Sequence, residues 1–219
     1  MAIKKVALNP WHILNAEKNP TECVLMLPGR DNSGSVMGKV YQSLGLENVL
    51  LISITPKKLE WYPLPNGVND QEAALEGQAS AYETIEDVVD KITMDYGIRR
   101  DKIVLCGYSA GGVMAISVAG YSKEPFAGVV VHCGAILDVS VLPKCQCPRT
   151  PFLLTHCKDD LIFEWVERYL PMKHSLIRQG YAVWTLENNF GGHLIDEPDL
   201  IRSSYFIQAC FKGIKDAAA

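Results

Sequence analysis

Val104-Leu105-Cys106-Gly107-Tyr108-Ser109-Ala110-Gly111-Gly112 is an apolar run that breaks into a glycine-flanked serine and resumes as Val113-Met114-Ala115-Ile116. That pattern predicts a strand, a sharp turn and a helix. A serine at such a turn sits in a strained backbone conformation, and Gly107 and Gly111 let strand and helix approach without Cβ clashes. Its hydroxyl is then held out at the sheet edge. The N–H of Ala110 falls at the helix N-terminus, where unpaired donors and the helix dipole favour a developing negative charge. Ser109 is therefore the candidate nucleophile, and Ala110 supplies one candidate donor of an oxyanion hole.

Outward from this turn, Glu22 to Leu27 and Asn48 to Ile54 are short continuous apolar runs, the signature of strands buried on both faces. Ser35 to Leu44 reads as a helix between them, ended by Gly45. The longest helix is expected from Asn69 to Tyr96, where Gly97 stops it. Lys102 to Cys106 gives the strand before the serine and Val113 to Tyr121 the helix after it. Phe126 to Cys133, Pro151 to His156 and Tyr181 to Leu186 supply three more strands. Helices are expected at Glu164 to Gln179 and from Pro198 to Lys212. Strands alternating with helices predict an α/β fold, a doubly wound and largely parallel sheet with helices on both faces. In such sheets ligands bind beyond the carboxyl ends of the strands. The loops after Leu27, Ile54, Cys106, Cys133, His156 and Leu186 are thus the places to search.

A chain of 219 residues, 48% hydrophobic, predicts one domain spanning 1–219. Its net charge of -4 is spread along the sequence, with no basic stripe for nucleic acid and no polybasic segment for a membrane surface. Met1-Ala2-Ile3-Lys4-Lys5-Val6 is not followed by the apolar core of a signal peptide, and no window is long and apolar enough to span a bilayer. Seven cysteines is an odd number, and Cys23, Cys106 and Cys133 fall in or at the ends of apolar runs, which points to free thiols in a reducing cytoplasm. A small, neutral or mildly charged ligand is the expected partner.

Three of the loops carry groups suited to act on Ser109. Glu187-Asn188-Asn189-Phe190-Gly191-Gly192-His193 places a histidine behind two glycines, within reach of the serine as a general base. His156-Cys157-Lys158-Asp159-Asp160 offers a carboxylate to accept the histidine's other N–H and fix its tautomer. Asp159 and Asp160 compete for that role, since adjacent loop residues point differently. Pro28-Gly29-Arg30-Asp31 allows the Arg30 N–H to face the same point as the Ala110 N–H.

Together these loops resemble the α/β-hydrolase family, and within it the compact phospholipase/carboxylesterase group that includes bacterial carboxylesterases and acyl-protein thioesterases. The similarity runs from about Thr21 to Lys212, with nucleophile, acid and histidine in the family's order. It implies a catalytic triad of Ser109, Asp160 and His193, choosing Asp160 as the last residue of a His-Gly-x-x-Asp-like motif. Two departures stand out: Pro28-Gly29-Arg30 replaces the usual His-Gly opening of the oxyanion loop, and Cys157 stands where glycine is usual. Ala110 also replaces the glutamine common after the serine in the thioesterase branch.

The resemblance further implies that Trp61 and Tyr62, in Glu60-Trp61-Tyr62-Pro63, contact substrate with Arg30 at the rim; the alternative is that the two aromatics anchor a long loop. It implies hydrolysis of carboxylic esters through an acyl-enzyme, with no metal or organic cofactor; the short segment between the serine and the acid loop leaves no long lid domain and points to small to medium substrates. The alternatives are a thioesterase or lysophospholipase using the same triad, or a ligand-binding member without turnover. Cys145-Gln146-Cys147 lacks the usual zinc-ligand spacing and reads as an inert loop.

Overall fold

A computed structural model describes residues 11–15, 19–42, 44–63, 70–136 and 146–213. One seven-stranded sheet runs in the order β1-β3-β2-β4-β5-β6-β7, where β1 is Trp11–Ile13, β2 Glu22–Leu27, β3 Val49–Ile54, β4 Ile103–Tyr108, β5 Gly128–His132, β6 Phe152–Cys157 and β7 Val183–Asn188. All neighbours pair parallel except β1, which runs antiparallel to β3 with Trp11 opposite Ile54. Among the described residues, that edge strand is the one strand absent from the sequence reading. It is three residues long and half exposed, so it leaves no apolar run to recognise.

The continuous apolar runs are explained by cover on both faces. Leu25, Ile52, Leu105, Val131 and Leu154 point to the side packed by α2 (Asp70–Tyr96), α3 (Ala110–Tyr121) and α4 (Leu170–Arg178). From α2 this side receives Ile85, Val88, Val89 and Ile92. Val24, Leu51, Val104, Val130 and Leu153 point the other way, against Met37 and Tyr41 of α1 (Gly34–Gln42) and Phe206, Ile207 and Cys210 of α5 (Glu197–Phe211). Alternate residues of each strand thus feed two cores, and β4 sits in the middle of both. Cys23, Cys106 and Cys133 are buried thiols outside any disulfide, as are Cys147 and Cys157; Cys210 is buried too, and Cys145 lies outside the described residues.

The expected helix from Glu164 to Gln179 is two pieces. Trp165–Tyr169 is a wide π-helical turn, in which the Tyr169 N–H reaches Glu164 O at 3.1 Å, and α4 starts only at Leu170. Pro171 gives the reason: it has no N–H for the helical ladder and its ring crowds the carbonyl four residues back. At the other boundaries the stop signals act as read, with Gly45 and Gly97 at φ +60° and +68°. No helix among the described residues is long and apolar enough to cross a membrane.

Candidate active site

β4 delivers Ser109 to the carboxyl edge of the sheet, and α3 begins at the very next residue, three earlier than the apolar pattern alone indicated. Ser109 has φ 54° and ψ −120°, a conformation that costs a side-chain-bearing residue about 1–3 kcal/mol and holds only where the surroundings over-determine it. Here they do. The Ser109 N–H is tied to His132 O on β5 at 2.9 Å, and Ser109 O accepts the Val113 N–H at 3.2 Å. A Cβ on Gly107 would lie 2.3 Å from Gly111 O, and one on Gly111 2.0 Å from Leu27 O. The two glycines are therefore required by close crossing of main chains.

The loop after β7 brings His193 over this turn, with Nε2 2.9 Å from Ser109 Oγ and Nδ1 2.7 Å from Asp160 Oδ2. Asp160 Oδ1 accepts the N–H groups of Ile162 and Phe163 at 2.8 and 3.0 Å, so its carboxylate is fixed from behind and presents its other oxygen to the imidazole. An acceptor at Nδ1 holds the proton there and leaves the Nε2 lone pair facing the serine hydroxyl. The acid's turn is braced in its turn by His156, whose Nε2–H donates to Phe163 O at 2.8 Å and whose ring stacks on Tyr169. Burial lowers the pKa of His156, keeping it neutral in that role. All three residues expected to form a triad thus meet.

Asp159, the competitor, points elsewhere: it accepts the Gly192 and Gly191 N–H groups at 2.8 and 3.3 Å. Gly29 packs on the nucleophile, since a Cβ there would lie 3.3 Å from that of Ser109. The next N–H along the chain is that of Arg30, while Ala110, as first residue of α3, has an N–H without an acceptor inside the helix.

Of the two readings of Trp61 and Tyr62, substrate contact or loop anchoring, the contacts made by these residues and by Arg30 are those of loop anchors. The Arg30 guanidinium turns away from the nucleophile to Glu60 Oε2 and Tyr62 O, both at 2.6 Å. Trp61 is 5% exposed and donates its indole N–H to Pro28 O at 2.7 Å, and Tyr62 is 3% exposed, its hydroxyl pKa pushed up to about 12 by burial. These side chains brace the turn of residues 28–30 from behind. Loop anchoring won because two large aromatics gain more by burial than by facing an open cleft.

Several neighbours of the triad escaped sequence reading. The Tyr108 hydroxyl donates to His193 O at 2.7 Å with its ring 5.4 Å from the imidazole, and Phe163 flanks the imidazole with centroids 5.9 Å apart. Cys133 lies at the end of β5, one of the loops topology marked for search, and donates to Leu194 O at 3.1 Å. The ligand-capable atoms of Cys133, Asp160 and His193 fall within 4.8 Å of one another. Burial and the Asp160 charge raise the Cys133 pKa, so the thiol keeps its proton and behaves as a donor. On the loops carrying Asp160 and His193, Leu161, Ile162, Phe190 and Leu194 are exposed apolar side chains. An apolar groove of 680 Å³ between α2 and α3, lined by Leu75, Tyr82, Ser117 and Tyr121, lies about two turns along α3 from Ser109.

The sequence profile of the phospholipase/carboxylesterase family matches residues 13–209. The chain belongs to that family. Solved structures of hydrolases are similar to it in fold. Esterase PE8 superposes with a TM-score of 0.81 at 19% identity, covering 92% of this chain and 98% of that one. The phospholipase/carboxylesterase of Dyadobacter fermentans gives 0.78 at 17% identity, over 92% and 97%. Zea mays acyl-protein thioesterase 2 gives 0.76 at 16% identity, over 93% and 100%. At such identities these likenesses establish the α/β-hydrolase fold, and the family rests on the profile. Comparison with curated protein sequences gives no significant match.

Proposed function

We propose that the protein is a serine hydrolase that cleaves small to medium carboxylic esters through an acyl-enzyme. The observation that carries this reading is the unbroken relay from Ser109 Oγ through His193 to Asp160, at 2.9 and 2.7 Å. Ser109 Oγ attacks the acyl carbonyl as His193 Nε2 takes its proton, and Asp160 stabilises the resulting imidazolium. The Ala110 and Arg30 N–H groups receive the tetrahedral oxyanion. Collapse expels the alcohol with the proton held at Nε2. Water then attacks the acyl-enzyme, gives a proton to Nε2, and the acid leaves as Ser109 regains its hydrogen. Each proton passes through His193 Nε2, from Ser109 to the leaving alcohol and then from water back to Ser109, so the reaction calls for no metal or organic cofactor.

Substrate selection is assigned to the exposed Leu161, Ile162, Phe190 and Leu194, which flank the triad and suit an apolar acyl or alcohol group. Free, buried cysteines fit a reducing compartment, the cytoplasm. Hydrolysis of short p-nitrophenyl esters by purified protein tests the reading: Ser109→Ala is expected to lower kcat by at least about 10⁴-fold. Retention of parental turnover in that variant would refute it.

A further inference from the structure

The segment that carries the general base has little scaffolding of its own. Between Asn189 and Ile195, no backbone–backbone hydrogen bond is made among the described residues; the β6–β7 ladder ends at Cys157 opposite Asn188, and α5 starts at Glu197. Side chains from the other strand ends hold it instead. Asp159, beyond β6, takes two consecutive N–H groups, those of Gly191 and Gly192, on its two carboxylate oxygens. Tyr108, at the end of β4, donates to His193 O, and Cys133, at the end of β5, donates to Leu194 O. Cys157 Sγ stands 3.6 Å from Phe190 O and close against Gly191, where an added Cβ would lie 2.7 Å from the sulfur.

In an extended strand successive N–H groups point to opposite sides, whereas Gly191 and Gly192, at φ +144° and +62°, turn theirs to the same carboxylate. The double glycine is thereby a small anion-binding nest, filled from within by Asp159. We propose that Asp159 is a positioning residue for His193, with Tyr108 as its counterpart on the carbonyl side. Adjacent residues of one loop control the same histidine in two ways: Asp160 through the ring and Asp159 through the main chain. The inference rests on the hydrolase reading for its kinetic consequence and on geometry alone for its structural one.

The test compares Asp159→Ala, Asp159→Asn and Tyr108→Phe with the parent enzyme. Asp159→Ala is expected to lower kcat about tenfold, with KM for a short ester unchanged within about twofold, since placement of a base is lost and substrate contact is not. Asp159→Asn keeps an oxygen acceptor for the Gly192 N–H and is expected to recover most of that loss. Tyr108→Phe, which removes one hydrogen bond and keeps the ring, is expected to cost about threefold. An independent readout is the low-field proton resonance of His193 Nδ1–H bonded to Asp160, which should broaden or shift in Asp159→Ala and return in Asp159→Asn. Parental kcat with an unmoved resonance in Asp159→Ala would overturn the proposal, as would an Asp159→Asn variant as impaired as Asp159→Ala. Absence of ester turnover in the parent would sink the hydrolase reading and leave the resonance to decide the clamp.

Discussion

The sheet carries two polar clusters of similar composition, one at its carboxyl edge and one behind it. Ser109, His193 and Asp160 form the first. The second holds His132, whose Nε2 meets the Tyr41 hydroxyl at 2.6 Å and whose Nδ1 meets Thr155 Oγ1 at 2.7 Å, with Ser203 and Asp199 beside it. Serine, histidine and aspartate are thus present twice, and only one set is arranged for chemistry. Ser203 donates to Asp199 O in the preceding turn of its own helix, so its hydroxyl is bound where Ser109's is offered. Both His132 nitrogens are engaged at 0% exposure, and burial pulls its pKa down to about 3; it stays neutral and cannot take a proton at neutral pH. His193 keeps a fifth of its side-chain surface open. Residue type is shared between the clusters. Strained placement at a strand end and one open side are not.

The comparison breaks most sharply at the two serines. Against the loss expected for Ser109→Ala, Ser203→Ala should leave kcat within about twofold and cost only about 1 kcal/mol of stability, read by denaturant unfolding. Next comes the acid: Asp160→Asn keeps the volume but presents an amide to His193 and favours the wrong tautomer, so kcat should fall about 10³- to 10⁴-fold. Asp199→Asn, the same change in the sealed cluster, should leave ester turnover intact.

A third difference, read in stability and not in turnover, separates the clusters by pH. Folded His132 has its pKa lowered to about 3 from an ordinary 6.5, so its contribution to stability is complete above pH 6.5 and is lost as pH falls toward 3. Asp199 has its pKa raised to about 6 from 3.8, mainly by burial, so the folded state takes up its proton first and gains stability as pH falls from 6 to 4. Between pH 6 and 4 the two slopes, each up to about 1.4 kcal/mol per pH unit, oppose each other. Unfolding free energies should therefore be nearly flat there in the parent with respect to this pair. His132→Gln should leave stability rising toward pH 4, and Asp199→Asn should leave it falling. Identical pH profiles in all three proteins would show that the sealed cluster does not titrate as its burial implies.

How much of this was legible in the sequence depends on the range of the contacts involved. The strands were legible because a strand covered on both faces must be apolar throughout, as Val24 to Leu27 and Val129 to Val131 are. The meeting of Ser109, Asp160 and His193 was legible because parallel topology puts the strand-end loops at one edge of the sheet. The choice of Asp160 over Asp159 came only from the family resemblance; the side chains separate through turns that local pattern does not encode. The choice between substrate contact and loop anchoring for Trp61 and Tyr62 stayed open for a similar reason, since their partners Pro28 and Arg30 lie some thirty positions earlier. The Tyr108 bond to His193 spans 85 positions, and nothing near either residue announces it. Pro171 was the one local signal passed over.

The crowded crossing at Gly107 and Gly111 bears on how such an enzyme can diversify. There the turn between β4 and α3 and the end of β2 come so close that a single methyl would meet a carbonyl oxygen at 2.0 to 2.3 Å. The centre of the site is closed to variation in bulk, while the exposed Leu161, Ile162, Phe190 and Leu194 around it contact little and are free to change. New substrates are therefore to be sought by recombining those rim positions with residues 27–29 and 107–111 left untouched. On the proposed reading, Ser109 is a fixed pivot about which specificity can be rewritten.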